Sequence, residues 1–446
     1  MDHVAVRPRE VSMATEFPNT LVNERTNEMR NARFIMRSLF IAIAMSALVL
    51  AGCAGPQRAA VAPPDQYVDS HFHIANYAMQ GVPLKELIDK YMGDKIARSV
   101  VFPLPLQQKW DPYEHYAGDK MPPNYYMGPK AGMYYYSFID AVVAMDYLKL
   151  SAADKARLDP MIVGFNPMDE YGAQHIRRML LIFPGVFAGI GEFSVHKEIV
   201  GDKIDDDTVK SIISSDPIPP DVTDVSRNTL YNPALQTIFN FAAESGLIVN
   251  LHSDVYRATV TYDGKVVSMS PEAPYTAGMK NLCTQCPKTT VYWAHTGLGR
   301  FVKPASNHLA VVSEILDACP NWNVDLSWDL VQTFIVNPQP GMPSLADWAR
   351  FITKYQDRVL WGSDTVIYTR NKIDDKGNMV VGKQMPVADY LAVKDILKPL
   401  WDAVGPDVAR KVKVDNHVRL FDAAKVKVRA WEAAHAKDDV WNLPPI

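Results

Sequence analysis

Val68-Asp69-Ser70-His71-Phe72-His73 decides how the rest of the chain is read. The run Tyr67–His73 has the apolar, aromatic and β-branched character of a strand, and alternate side chains of a strand share one face. His71 and His73 therefore project side by side, with one bulky apolar residue between them. Two imidazoles held that way are a ready-made pair of metal ligands. His-x-His is short enough to arise by chance, so its meaning rests on what the other strands supply.

Seven further apolar runs follow, at Ala97–Pro103, Met161–Asn166, Val186–Phe193, Leu247–His252, Thr290–His295, Asn323–Ser327 and Val359–Asp364. Segments of helical period separate them, at Leu84–Tyr91, Tyr136–Leu148, Glu170–Phe183, Pro233–Ser245, Asn307–Ala318 and Leu345–Lys354. Strands alternating with helices imply parallel pairing, and strands apolar throughout imply a sheet covered on both faces. The pattern predicts an α/β fold, a (β/α)8 TIM-like barrel with long βα-loop insertions. Extra C-terminal helices are expected at about Pro386–Val404 and Asp407–Ala430. An open doubly wound sheet would carry a Gly-rich turn after its first strand, which this chain lacks. The insertions Ser194–Thr229, Asp254–Ala277 and Thr365–Met385, and the aromatic segment Gln107–Tyr136, fall on the C-terminal face, where barrel active sites form. The aromatic segment, with Trp110 and Tyr113, reads either as a substrate wall or as an excursion packed on the barrel.

Each of several strands closes on an ionisable group: His71 and His73 on the first, Glu192 on the fourth, His252 on the fifth, His295 on the sixth and Asp364 on the eighth. A closed barrel turns those ends toward one point. Four imidazoles and two carboxylates would then converge, which is ligand chemistry for Zn²⁺ or Mn²⁺. Asp325, Ser327 and Asp329, near the seventh strand, offer themselves only as supports and stay outside this set.

Taken together, Asp69-Ser-His71-Phe-His73, Gly191-Glu192, His252, His295-Thr-Gly297, Gly362-Ser363-Asp364 and Asn416-His-Val-Arg419-Leu-Phe421 resemble the amidohydrolase superfamily, in its amidohydrolase-related branch. The resemblance spans nearly all of residues 66–422 in the expected order. It implies that His71, His73, His252 and Asp364 are metal ligands and that Asp364 takes a proton from the attacking water. It implies that His295 binds a second metal or acts as acid/base beside a single one. Glu192 would either bridge two ions, as in TatD-like binuclear hydrolases, or hold a ligand histidine. The implied activity is metal-dependent hydrolysis of an ester, lactone, amide or phosphoester in a small substrate, with one or two ions, zinc first and manganese second. The same branch contains non-oxidative decarboxylases, and a catalytically inactive barrel serving as a surface binding protein is a third reading. Arg300 and His196, on βα loops, are further substrate-binding candidates beside Trp110 and Tyr113.

The N-terminus carries a separate message. Arg33 and Arg37 precede an apolar run that ends in Leu50-Ala51-Gly52-Cys53 and resembles the lipobox of bacterial lipoproteins. That resemblance implies cleavage before Cys53, lipid on its sulfur, export, and anchoring in the periplasm at the outer membrane of a Gram-negative bacterium. The expected organisation is leader and signal over 1–52, lipidated cysteine and tether over 53–65, barrel over 66–430 and tail over 431–446. The membrane is then a partner through the lipid alone. A net charge of −4 with no basic stripe argues against nucleic acid, and a homo-oligomer is compatible with the sequence. Of the remaining cysteines, Cys283, Cys286 and Cys319, the sequence allows a local Cys283–Cys286 bridge, a bridge to Cys319, or free buried thiols.

Overall fold

A computed structural model describes residues 66–75, 81–104, 137–167, 169, 171–196, 230–256, 258–260, 266–269, 273–299, 302–367, 372–373, 379–380 and 384–446. The barrel strands are β1 (Tyr67–Asp69), β2 (Phe72–Ala75), β3 (Ile96–Pro103), β4 (Leu158–Ile162), β5 (Gly189–His196) and β6 (Ile248–Ser253). After a short antiparallel hairpin, β7 (Ala258–Val260) and β8 (Val266–Met269), come β9 (Val291–Trp293), β10 (Trp322–Asp325), β11 (Val359–Leu360) and β12 (Thr365–Val366). The main sheet runs β11-β10-β9-β6-β5-β4-β3-β2-β12, with parallel pairing throughout. The sheet returns on itself: Ser70 N–H donates to Trp361 O at 3.1 Å and Asp364 N–H to His71 O at 2.8 Å. This is the expected (β/α)8 TIM-like barrel, and the hairpin lies inside the insertion after its fifth strand.

The first and eighth barrel strands are each broken in two, at Ser70-His71 and at Trp361–Asp364. Asp69 fills the gap. Its carboxylate accepts from His71 N–H (3.1 Å), Ser363 N–H (2.9 Å), Ser363 Oγ (2.7 Å) and Tyr390 OH (3.0 Å). Burial drives its pKa up to about 6, against the pull of those donors. The first residue of the quoted motif is thus a brace between the first and last strands.

Helices whose ends carry chemical signals begin and stop where the sequence says. Pro233–Ser245 has Asn232 capping Ala234 N–H at 2.8 Å, proline at its first position and Gly246 in the left-handed conformation after it. Leu345–Lys354 opens on a reciprocal Ser344/Asp347 capping box. Thr276–Gln285 and Asp329–Val336 lack side-chain caps, and the sequence pattern alone does not reveal them. The third barrel strand starts three residues earlier than expected, because Asp159 and Pro160 interrupt its apolar pattern without interrupting its pairing.

The long helix Asn416–Ala434 closes the end of the barrel where the strands begin. Asn416 donates to Val359 O and Gln356 O, both at 2.7 Å, and Lys425 to Leu158 O at 3.0 Å. Phe421 and Ala424 pack into the barrel interior with Val100, Met161, Ile248, Tyr292 and Leu360. Cys283 and Cys319 form a disulfide across neighbouring helices, with Cα atoms 5.9 Å apart, and leave Cys286 as a buried thiol.

Candidate metal centre

The opposite end of the barrel gathers the ionisable strand ends. On β5, Gly191 has φ 100°, and a Cβ there would lie 2.1 Å from Asn250 O, so only glycine lets β5 approach β6 closely beside Glu192. Glu192 lies amid four imidazoles. Its Oε1 is 2.7 Å from His252 Nδ1 and 3.4 Å from His295 Nε2. Its Oε2 is 3.4 Å from His73 Nε2 and 3.6 Å from His71 Nε2. Asp364 Oδ1 sits 3.0 Å from His73 Nε2 and 3.3 Å from His71 Nε2, and its Oδ2 is 3.8 Å from His295 Nε2. All six residues assembled from sequence therefore stand around one small space.

Two of them reach it through strained backbone. His295 (φ 55°) and Asp364 (φ 54°) are left-handed, a conformation few non-glycine residues adopt. His295 follows β9 in a tight turn with Thr296 and Gly297, where a Cβ on Gly297 would meet the Trp293 ring at 2.1 Å. A strand continued through His295 and Asp364 would follow the sequence pattern; the turn instead aims both side chains at Glu192.

The cluster has the donor set and the open valences of a cation site. His71, Glu192, His295 and Asp364 each offer a ligand atom, all within 4.8 Å of one another. His71 Nε2 and His295 Nε2 are buried there without a hydrogen-bond partner among the described residues. Burial alone would hold His71 neutral, but Asp325 and Asp364 beside it push its pKa well above the usual imidazole value. Burial keeps His295 below its ordinary value despite Asp364 and Glu192. Asp364 stays ionised far below the usual carboxylate range, because His295 and His71 outweigh the cost of its burial. Carboxylates pressed against imidazoles in this way call for positive charge, supplied by protons or by a divalent ion. Asp364, 12% exposed, is the most open member of the cluster.

Residues outside the expected set hold it in place. Asp254 Oδ1 is 2.9 Å from His252 Nε2, Asp325 Oδ2 is 2.9 Å from His71 Nδ1, and Ser327 Oγ is 2.6 Å from His295 Nδ1. Asp254 was within reach of pattern reading, since a residue two beyond His252 on a strand shares its face. His196 is buried and stacks on Tyr275, with ring centroids 3.8 Å apart. Arg300, Trp110, Tyr113 and Cys53 lie outside the described residues.

An amidohydrolase family model matches residues 210–423, which supports the family that the motifs resemble. No curated protein matches the chain. Solved structures similar to it include dihydroorotase from Campylobacter jejuni, at 12% identity, covering 80% of this chain and 83% of that one, with TM-score 0.41. A zinc-bound amidohydrolase from Burkholderia multivorans is 11% identical over 80% of this chain and 99% of that one, with TM-score 0.41. A putative 2-pyrone-4,6-dicarboxylic acid hydrolase from Pseudomonas putida is 11% identical over 80% and 98%, with TM-score 0.40.

Proposed function

We propose that this chain is a metal-dependent hydrolase of the amidohydrolase superfamily, cleaving an ester, lactone, amide or phosphoester bond of a small organic substrate. The observation that carries the reading is Glu192. One carboxylate oxygen faces His252 and His295 and the other faces His71 and His73, an arrangement suited to holding two ions. His71, His73, Asp364 and Glu192 Oε2 would hold one, and His252, His295 and Glu192 Oε1 the other, with zinc the first candidate and manganese the second. A divalent ion bound there would make water acidic enough to attack near neutral pH and would polarise the substrate oxygen. Asp364 would take the proton of the attacking water and return it to the leaving group. Arg300, Trp110, Tyr113 and His196 remain candidates for substrate contacts.

The test is metal content alongside a hydrolase screen. Purified protein should hold close to two ions per chain, and Glu192→Gln close to one. Activity in an ester, lactone, amide and phosphoester panel should respond to added Zn²⁺ or Mn²⁺. A single ion that Glu192→Gln leaves in place would favour the second reading, a one-ion decarboxylase. That reading draws on His252, whose two ring nitrogens are already engaged by Glu192 and Asp254. Protein that holds no metal and shows no metal-responsive activity would point to the inactive binding barrel.

The N-terminal signal extends the proposal to location: an exported protein held in the periplasm by lipid on Cys53, at the outer membrane. The Cys283–Cys319 disulfide suits an oxidising compartment, and no helix among the described residues is long and apolar enough to cross a membrane. Labelled palmitate should enter the wild-type protein and not Cys53→Ser. Incorporation into both would remove the lipid anchor from the proposal.

A further inference from the structure

Asp325 ends β10, the seventh barrel strand, and is fully buried. Both of its oxygens are committed. Oδ2 accepts from His71 Nδ1 at 2.9 Å. Oδ1 accepts from the backbone N–H of His295 at 2.7 Å, from the backbone N–H of Ser327 at 3.1 Å and from the Ser327 hydroxyl. Because the Ser327 hydroxyl spends its proton on Asp325, it can only accept from His295 Nδ1, 2.6 Å away. Ser327 Oγ also lies 3.2 Å from His71 Nδ1.

The proton positions follow from this wiring. A carboxylate can only accept, so His71 carries a proton on Nδ1, and in the neutral ring its Nε2, toward Glu192 and Asp364, is the bare atom that could bind a metal. His295, through Ser327, likewise carries its proton on Nδ1 and turns a bare Nε2 toward Glu192. Both Nε2 atoms are buried without a hydrogen-bond partner among the described residues. They face opposite oxygens of Glu192, so one carboxylate sets a ligand in each half of the cluster. The same oxygen that holds Ser327 also holds the amide of His295, in the left-handed turn that aims its ring.

We infer that Asp325 is the positioning residue that fixes the tautomers of His71 and His295 together, the first directly and the second through Ser327, and so sets metal affinity on both sides of Glu192. The inference rests on the metal-dependent reading above. Asparagine in place of Asp325 keeps the shape but offers one acceptor and one NH₂ group. Three donors compete for the Oδ1 position, so the amide oxygen takes it and the NH₂ group faces His71 Nδ1. His71 must then move its proton to Nε2, the atom that would bind metal.

The test is Zn²⁺ affinity by chelator competition, with the visible spectrum of the Co²⁺-loaded protein as a second readout. Wild type, Asp325→Asn and Ser327→Ala are compared, with thermal unfolding as the control for folding. Asp325→Asn should weaken Zn²⁺ binding by about 10–100-fold and shift the Co²⁺ bands. Ser327→Ala, which removes the acceptor of His295 Nδ1 but leaves Asp325 on His71 Nδ1, should weaken only one of two binding steps. A folded Asp325→Asn protein with wild-type affinity and spectrum overturns the inference while leaving the metal-dependent reading intact. If Asp325→Asn does not fold, Ser327→Ala decides: an unchanged affinity and spectrum overturns the inference. Wild-type protein that binds neither Zn²⁺ nor Co²⁺ overturns both.

Discussion

The two ends of the barrel each bury a cluster of histidine and carboxylate, and they are wired in opposite ways. Where the strands begin, Asp159 is paired by Arg98 at 2.6 Å, Lys425 at 2.6 Å and His417 at 2.8 Å. Burial would raise its pKa, but those three neighbours hold it well below the usual carboxylate range. That cluster supplies its own positive charge and is roofed by Phe421 and its helix. Where the strands end, Glu192, Asp364 and Asp325 meet imidazoles with no lysine or arginine among their described partners. A buried aspartate with no cation among its described contacts shows the third outcome. Asp140 accepts only from the backbone N–H groups of Val163 and Gly164 among its described contacts, and burial drives it up to about 7. Buried carboxylates are common to all three places; where the positive charge comes from separates a structural cluster from a candidate cation site.

Three substitutions would break or sharpen that contrast. The largest effect is expected at the strand ends: Asp364→Asn should lower kcat by about 10²–10⁴-fold, measured on any substrate the hydrolase screen finds. Its unfolding midpoint in chelator should fall less than that of Asp159→Ala, since no lysine or arginine among the described partners of Asp364 loses a carboxylate. At the other end the order reverses. Asp159→Ala should cost about 3–5 kcal/mol of stability by denaturant melt, because it leaves buried Arg98 with Asp422 alone and takes the carboxylate from half-buried Lys425 and buried His417. The folded fraction should keep the wild-type ratio of metal to protein. A metal ratio that falls with Asp159→Ala would mean that the two clusters are coupled.

The smallest effect is expected at Asp140. Its folded pKa, about 7, lies above the ordinary 3.8, so the protonated form is the one the fold favours. Its contribution is fully present below about pH 4 and is lost as pH rises through 7. Relative to Asp140→Asn, wild-type stability should therefore decline between pH 4 and 7, by a kcal/mol or more per unit at the steepest, about 1.4 at the limit for one proton. Parallel stability curves for the two proteins would show that Asp140 is not the group responsible.

The barrel was legible because its signal is redundant: eight runs of buried strand, separated by segments of helical period, leave few topologies. The six converging residues were legible for a related reason, since each is an ionisable group at the end of an apolar run. The supports were legible only in part: the sequence puts Asp325 and Ser327 near the site without saying what they hold. Asp325, in Asn323-Val-Asp-Leu-Ser327, looks like any polar strand end, and its role exists only because the barrel brings it against His71 and His295. The left-handed backbone at His295, Trp328 and Asp364 was hidden too, because the residues that adopt it are not glycine. Trp328 hides the start of Asp329–Val336 as well, since it precedes that helix without a cap.

Asp69 also constrains the order in which the chain can become functional. It joins His71, near the start of the barrel, to Ser363 and Tyr390, about three hundred residues later. Asp364 binds back to His71 in the same seam. During synthesis, no N-terminal portion of the chain holds the full set of six, however well its early strands pair. The candidate centre is complete only once the last barrel strand, with Asp364, has been made. A chain cut short before residue 364 would have most of a barrel and only part of a metal centre.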